Sequence, residues 1–554
     1  MLVTQQEIPY LISKLREETE AISLDTETNI TNRYHERYCM GISVYASGES
    51  FYLPVGHDSW LDRDTENVIP PSDLLEHLQA PVVFHNAKFD IHVLERAGIR
   101  VPDDLKLYDT MLMCHLINET EFDYSLQSMG RKYVGDSKEK ELSRVMSKSM
   151  KWEETPAFAM AKYAEQDTKL TRDLYLTIKP LFEEYEKVWE VDVRFLRLLQ
   201  RVERRGIKVN LQEAHRLKKM CEDRIAAIEV ELGFNPNKVK ELHGKLFDEP
   251  PVGYGLKVLY KTKGGKPQVN TQFLERTNHP VCGLLLEHRK LKKQLTSYYN
   301  SYINLCEGYG RLHPSFKQHG TLTGRLSCAD PNMQQIPRDS PIKKLFEAEP
   351  GYQLWEIDFR NIELRIAAVY SQDPNLLEAF RNEGDVHQLT ADRLGISRQD
   401  AKMVNFLVTF GGGAELLANK LNKPVNVCKP FVDGFKKSYP RIVGTLNAAE
   451  ESTGRAGGKI RIWSGRYRHF KWSSEYRSAW NAIIQGGAFE IVKRSMLLLE
   501  DAGFDIRNQV HDSVWLMVPV LSAKEKIAEA EEIMSGWTEE AFGLKFSVDS
   551  KRLA

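Results

Sequence analysis

Two aspartates far apart in the chain, Asp358 and Asp512, each sit at the end of a segment patterned as a β-strand. Residues 354–359 (Leu-Trp-Glu-Ile-Asp-Phe) read as a strand that runs into an amphipathic helix over 362–369, with Glu363 in its first turn. Residues 506–518 alternate apolar and polar on both sides of a His511-Asp512 turn, the pattern of a hairpin. Adjacent strands of one sheet would raise both carboxylates to one edge. There they can bridge two hard cations and clamp the attacking and leaving oxygens of phosphoryl transfer, chemistry that builds or cuts nucleic acid. The bland alternative is two unrelated, solvated aspartates at strand ends, the usual situation of a single aspartate.

A chain of 554 residues is too long for one core and predicts two to four domains. Its formal net charge of −1 does not exclude a polyanionic partner, because 76 basic residues can line a groove while acidic residues cover other faces. The seven cysteines are scattered and odd in number, which predicts reduced thiols in a cytosolic setting and no structural zinc. No basic-then-apolar leader opens the sequence and no apolar run approaches a membrane span, so a soluble, non-secreted, cytoplasmic protein without a membrane partner is expected.

Strands at 21–24, 40–45, 50–53 and 82–85 alternate with helical stretches, giving an α/β unit over residues 1–185. From 186 to 310 the pattern is helical and charged, interrupted by a Pro/Gly/Lys-rich stretch at 235–270. A long amphipathic helix at 283–305 carries Arg289, Lys290, Lys292 and Lys293. The run Lys261 to Lys266 reads either as a solvated basic turn or as a holder of a phosphate backbone. Mixed α/β structure resumes after 310, with a mostly helical insertion at about 376–475.

Asp25 and Glu27 follow the first strand with the spacing of one face, and Asp90 follows the buried strand at 82–85. Tyr163 and Asp167 are four apart on a helix and share a face. Four carboxylates and a tyrosine in this order form a two-metal site in which the phenol orients an attacking water. The set resembles the 3'→5' proofreading exonuclease domain of the DNA polymerase I family, in the subclass with a tyrosine in its third motif. The resemblance extends to Tyr108-Asp109-Thr110-Met111 and Tyr124-Ser-Leu126.

In the C-terminal half, Ser397 reads as a helix N-cap with Asp400 three residues on. Arg398, Lys402, Phe406 and Phe410 then recur every four residues, drifting about 40° per step, and Gly411-Gly412-Gly413 ends the helix. An arginine in a first turn opposes the helix dipole and calls for an anion nearby. The stripe reads either as a triphosphate and sugar site or as a core stripe with snorkelling basic residues. Residues 397–411 resemble the fingers helix of the DNA polymerase I family, and 354–370 and 508–516 resemble its two palm motifs. Residues 318–337, and the segment holding Arg477, Asn481 and Gln485, resemble two further stretches.

The resemblance implies an RNase H-like α/β exonuclease domain at 1–185, followed by a right-hand α+β polymerase domain at 186–554. Within the latter it implies a thumb at about 186–310, a palm at 311–380 and 476–554, and fingers at 381–475. Template-directed addition of dNTPs to a primer, with proofreading, is the implied activity. The implied cofactors are two Mg²⁺ at Asp358 and Asp512, and two divalent ions at Asp25, Glu27, Asp90 and Asp167. Primer-template DNA and dNTPs are the implied partners, with a replisome or processivity factor as a further one, in a bacterial cell or phage-infected host.

By the same resemblance His511 lies beside the primer terminus, and Arg398, Lys402 and His387 meet the triphosphate, with Lys402 placed to protonate pyrophosphate. Arg325 and Gln485 probe the minor-groove edge of the new pair, Glu363 excludes a ribose 2'-OH, Phe406 packs on the sugar and Phe410 floors the pocket. With the exonuclease motif beginning at residue 25, no 5' nuclease domain is expected, as in many phage replicative polymerases.

Three positions depart from the family pattern. Ser513 replaces a common glutamate, Phe359-Arg360-Asn361 replaces Tyr-Ser-Gln, and Phe410 replaces a tyrosine. Without that tyrosine's hydroxyl, Glu363 is expected to be loose unless a donor such as Arg360 holds it. Arg360 itself reads either as a phosphate contact or as half of a salt bridge. A stand-alone exonuclease, a single-subunit RNA polymerase and a single-strand-binding protein are rival readings, each less consistent with the two complete residue sets.

Overall fold

The computed structural model describes residues 1–31, 33–57, 65–76, 78–136, 152–337 and 341–554. The chain divides into two compact units, one of Met1–Gly206, Pro314–Gln335 and Glu349–Leu553, the other of Ile207–His313 and Ile336–Ala348. Helix Glu186–Arg205, expected within the thumb, therefore belongs to the larger unit. The reason lies in its buried face: Trp189, Leu196 and Leu199 are all within the core, and Asp192 and Glu203 bind partners in that unit.

The larger unit carries two sheets. The first has strands β1 (Ile22–Thr28), β2 (Cys39–Ala46), β3 (Glu49–Pro54), β4 (Val82–Phe84) and β5 (Leu107–Asp109), in the order β3-β2-β1-β4-β5. β1 pairs antiparallel with β2 and parallel with β4. β5 went unrecognised in the sequence because three residues are too few to show a period. The near-continuous burial of β1, β2 and β4 comes from helices packed on the sheet, chiefly Ala157–Phe182. Ser23 Oγ donates to the Thr168 carbonyl at 2.7 Å, which fixes that helix to β1.

The second sheet has β6 (Tyr352–Phe359), β7 (Asp505–Val510), β8 (Ser513–Pro519) and β9 (Val548–Arg552), in the order β7-β8-β6-β9. β6 pairs antiparallel with both neighbours, and Asp358 lies opposite Ser513 on one side and Asp549 on the other. The strand and the hairpin inferred from the sequence are thus adjacent, as a shared site requires. Between them in the chain, seven helices and the small hairpin Lys459–Arg461/Tyr467–His469 fill residues 362–469.

The smaller unit packs helix Leu211–Leu232 against Pro280–Gln294 around Ile228, Leu246, Phe273 and Leu285, next to a three-stranded sheet of Phe346–Glu347, Ile207–Val209 and Arg311–Leu312. The amphipathic helix expected at 283–305 begins earlier, at Pro280, where the His279 side chain caps it. It continues through a π-helical segment, Leu295–Asn300, into Ser301–Cys306. The wider turn brings the consecutive residues Tyr298 and Tyr299 both into the core. Arg289 Nη1 donates to the Val269 carbonyl, while Lys290, Lys292 and Lys293 are exposed. Lys261–Lys266 closes as an exposed turn, with Thr262 N donating to the Lys266 carbonyl. Residues 235–270 also hold a helix, Val239–Phe247, that their composition did not announce.

Burial pushes the His115 imidazole down to about 3, with the Arg466 cation acting in the same direction. The folded state therefore binds fewer protons than the unfolded chain below about pH 6.5. The contribution of His115 is complete above that pH and declines by about 1.4 kcal/mol per pH unit as the pH falls toward 3. His115→Gln is expected to flatten the fall in unfolding free energy between pH 6.5 and 4.5, measured by urea denaturation.

Candidate active sites

At the first site, β1 carries Asp25 and Glu27 on one face, and helix Ala157–Phe182 carries Tyr163 and Asp167 one turn apart. Oxygens of Asp25, Glu27 and Asp167 lie within 4.8 Å of one another, and Glu27 and Asp167 are buried. Three hard oxygen donors this close suit a divalent cation. Asp90 lies outside this trio. It is buried in the first turn of helix Ala87–Arg96 and accepts hydrogen bonds from Thr26 N (3.0 Å) and Thr26 Oγ1 (2.8 Å). Burial, together with the Asp25 charge, holds its carboxyl well above the usual range.

Two residues support this site, Asp109, from the stretch already noted at 108–111, and Trp152, which the sequence reading missed. Asp109 is buried and accepts from the backbone N–H groups of Asn86, Ala87, Met111 and Leu112, so one carboxylate fixes the starts of two helices. Burial raises it to about 6 despite these bonds. Trp152 donates through Nε1 to the Thr28 carbonyl at 3.0 Å and meets the Tyr163 ring edge-on at 6.1 Å, tying the end of β1 to the tyrosine. Its aromatic character in an otherwise polar segment is the one sequence signal it gives.

The second site lies at the edge of β6 and β8. Phe359 N donates to the Asp512 carbonyl at 3.3 Å, so the hairpin turn is held against the end of β6 beside Asp358. Arg325 Nη2 is 2.6 Å from Glu363 Oε1 and 3.8 Å from Asp512 Oδ1. Burial raises the Glu363 carboxyl, Arg325 lowers it and the Asp512 charge raises it again. Glu363 is thus held by Arg325, not left loose and not held by Arg360. Arg360 instead forms ion pairs with Asp549 (3.2 Å) and Glu383 (3.7 Å), the salt-bridge arrangement of its two readings.

Helix Arg398–Thr409 is capped by Ser397, whose Oγ accepts from Asp400 N at 3.1 Å. Its buried residues are Ala401, Val404, Asn405, Val408 and Thr409. Arg398 is exposed and Lys402, Phe406 and Phe410 are half-buried, so the stripe is set off from the helix's buried face. The anion that Arg398 calls for is Asp385, at 2.7 Å. Asp385 also caps the helix that carries His387.

His387 is more enclosed than a free triphosphate donor would be. Its Nδ1 accepts from Asn405 (3.0 Å), its Nε2 donates to Asn361 Oδ1 (3.2 Å), and its ring centroid is 5.7 Å from that of Phe406. Burial, opposed by the Asp385 charge and aided by Lys402 and Arg398, brings its pKa down to about 4 and keeps it neutral.

Arg325 and His511 line a cavity of about 260 Å³ with Thr323, Gln334, Phe489 and Gln509. Asn481 and Gln485 are half-buried, one turn apart on helix Ala479–Asp501, and Arg477 is exposed in the turn before it. A Cβ at Gly486 would come 2.9 Å from the Thr323 carbonyl oxygen, so only glycine allows the helix to lie this close to the 323 backbone.

Residues 207–552 match the family described as DNA polymerase family A, and residues 1–183 match the family described as 3'-5' exonuclease. The chain is 28% identical to DNA polymerase I of Pseudomonas aeruginosa over 568 residues, covering 93% of this chain and 61% of the relative. It is 32% identical to the thermostable DNA polymerase I of Thermus thermophilus over 407 residues, covering 66% of this chain and 48% of the relative. It thus spans less than two thirds of the length of these relatives. The structure described as the POL domain of Pol1 from M. smegmatis in complex with DNA primer-template and dNTP covers 100% of this chain and 98% of its own, with a TM-score of 0.82. At 22% identity that likeness is one of fold.

The Asp25, Glu27 and Asp167 carboxylates repel one another when no cation lies among them. Asp25→Asn is expected to stabilise the metal-free protein by about 1 kcal/mol and to reduce the rise in melting temperature that Mn²⁺ produces. Thermal denaturation with EDTA and with Mn²⁺ checks both.

Proposed function

The chain belongs to DNA polymerase family A, and from that premise we propose that it is a template-directed DNA polymerase with a 3'-5' proofreading exonuclease. The observation that carries this reading is the presence of two separate carboxylate centres on two sheets of one unit. One is Asp25, Glu27 and Asp167; the other is Asp358 with Asp512. A stand-alone exonuclease would need only the first. The solved neighbour that shares this fold holds primer-template DNA and a dNTP, which supports the same substrates here.

Domains of both families depend on divalent metal, and two Mg²⁺ at each centre are part of the proposal. Asp358 and Asp512 would hold them at the polymerase site, where they supply charge stabilisation to the attacking and leaving oxygens. Arg398 and Lys402 bind the triphosphate, and Lys402 gives a proton to the leaving pyrophosphate. His387, neutral and held by Asn361 and Asn405, orients Phe406 beneath the sugar. Phe410 floors the pocket. Arg325 and Gln485 meet the minor-groove edge, where acceptors on every base allow a geometry check independent of sequence. His511 stands beside the primer end, and Arg477, in the turn before helix Ala479–Asp501, and Asn481, on that helix, contact DNA. At the exonuclease site Tyr163 orients the attacking water, while Asp90 completes the ligand set.

In this reading the expected domains are the exonuclease over 1–185 and the thumb, palm and fingers over the remainder. A processivity partner and the cytoplasm of a bacterium or phage-infected host complete it. Among the described residues no helix is long and apolar enough to cross a membrane.

The two activities are expected to separate. Asp358→Ala or Asp512→Ala abolishes primer extension and spares degradation of single-stranded DNA, whereas Asp25→Ala with Glu27→Ala does the reverse. Loss of both activities from either change in a folded protein would overturn the two-site model.

Sugar selection tests the Arg325–Glu363 pair. Because Arg325 already holds Glu363, Phe410→Tyr adds at most one ordinary hydrogen bond, about 1 kcal/mol, and changes dNTP-over-rNTP preference by less than about tenfold. Arg325→Ala frees the carboxylate and lowers the preference, and Glu363→Ala lowers it furthest. Single-turnover incorporation of dCTP and CTP opposite guanine gives the ratios.

A further inference from the structure

The hydroxyl of Ser513, at the position where a glutamate is common in the family, is bonded to a carboxylate from the neighbouring strand. Ser513 is buried, with Oγ 3.2 Å from Glu356 Oε1 and 2.9 Å from the Val510 carbonyl oxygen. Trp515 Nε1 donates to the same Glu356 oxygen at 3.2 Å. In the β6–β8 register Asp358 lies opposite Ser513 and Glu356 opposite Trp515, so these four side chains share one face of the sheet. Glu356 leans diagonally across that face toward residue 513, the immediate neighbour of Asp512. The Trp515 indole N–H, with the Ser513 hydroxyl shared between Glu356 and the Val510 carbonyl, thus aims a half-buried carboxylate at the edge where Asp358 and Asp512 stand.

We propose that Glu356 is the third acidic residue of the Asp358–Asp512 centre, supplied by β6 in place of a glutamate on β8. The proposal rests on the polymerase reading of that centre. Glu356 stands two residues before Asp358 on β6, and its Oε1 is engaged by Ser513 and Trp515. Glu356 is therefore a positioning residue: it accepts hydrogen bonds from water bound to the divalent cation and leaves direct ligation to the two aspartates. A carboxylate in such an outer position orients the inner ligands and raises their affinity. Ser513 serves it by holding it in place, so the departure at 513 and the acid at 356 form one exchange across a strand pair.

The test uses the full chain carrying Asp25→Ala and Glu27→Ala, so that metal effects report on the second centre. Glu356→Gln keeps the shape and an acceptor for Ser513 but removes the charge. It is expected to weaken Mn²⁺ binding, read by electron paramagnetic resonance, by about 10- to 100-fold. The Mg²⁺ concentration for half-maximal single-turnover extension should rise in parallel, with most of the rate regained at saturating Mg²⁺. Glu356→Ser alone should show the same loss, and Glu356→Ser combined with Ser513→Glu should restore affinity by returning the carboxylate from the other strand. Mn²⁺ affinity and Mg²⁺ dependence within twofold of the parent in Glu356→Gln would overturn the inference. So would a folded double exchange that fails to recover affinity. Either result leaves the polymerase reading intact as long as Asp358→Ala abolishes extension; extension that survives Asp358→Ala would remove that reading itself.

Discussion

Asp192 is the residue on which the larger unit depends. It comes from helix Glu186–Arg205 and sits fully inside the protein between Arg466 and Lys493, with Glu490 closing the ring. Burial alone would raise its carboxyl, but the Arg466 and Lys493 charges hold it below the usual range. Two acids and two bases cancel in net charge, which is the condition under which buried ions are tolerated. Glu203, on the same helix, does similar work with Lys88, His92 and the Phe316 backbone N–H. One helix thus fastens residues from the first sheet's helices, the strand at Ser315–Lys317 and the long helix Ala479–Asp501. Removing one charge from such a ring leaves the others buried and unbalanced, so the two carboxylate centres inherit their fixed positions from it.

A second constraint recurs at the centres themselves. Asn86, Asn361 and His511 all have left-handed backbone conformations, at φ of 81°, 50° and 54°. Asn86 precedes the helix bearing Asp90, Asn361 separates Asp358 from Glu363, and His511 precedes Asp512. In each case a strand must turn within one or two residues so that an acid leaves the sheet edge in a new direction. Non-glycine residues adopt this conformation at some cost, asparagine least among them. Strain stored at these turns is offset by the surrounding packing, the pattern common at functional sites.

Much of this was legible in the sequence because it is local. The strand ending in Asp358, the His511-Asp512 hairpin, the Ser397 cap and the four-residue recurrence from Arg398 are set by period and turn chemistry within a dozen residues. The rest depends on register and long-range packing. Arg325 and Glu363 are distant in sequence, and nothing in either segment announces their 2.6 Å contact; Arg360, the nearer candidate, is occupied by Asp549 and Glu383. Glu356 looked like one polar residue of a strand until the β6–β8 pairing set it diagonal to Ser513. Asp90 follows its strand as the spacing implied, but only the fold shows that its Oδ1 accepts from Thr26, the residue between Asp25 and Glu27. Helix Glu186–Arg205 has the charge density of an exposed element, and only its buried partners reveal that it is an internal one.

The pairing of the basic residues also bears on how substrates enter the proposed polymerase site. Arg398 and Asp385 are each about half exposed, so their 2.7 Å bridge is of the kind worth at most about 1 kcal/mol and yields readily to a stronger anion. A triphosphate offers several oxygens to the same guanidinium, and its arrival costs the helix cap little, because Asp385 keeps its bonds to His387 N and Gln388 N. Arg325 differs. Its partner Glu363 is mostly buried and its second neighbour is Asp512, so releasing it to a minor groove leaves two carboxylates without their shared cation. A divalent metal bound at Asp512 would offset part of that loss. In the proposed site, a minor-groove contact by Arg325 would therefore depend on metal occupancy more than a triphosphate contact by Arg398 would, because Glu363 is mostly buried and Asp385 is about half exposed.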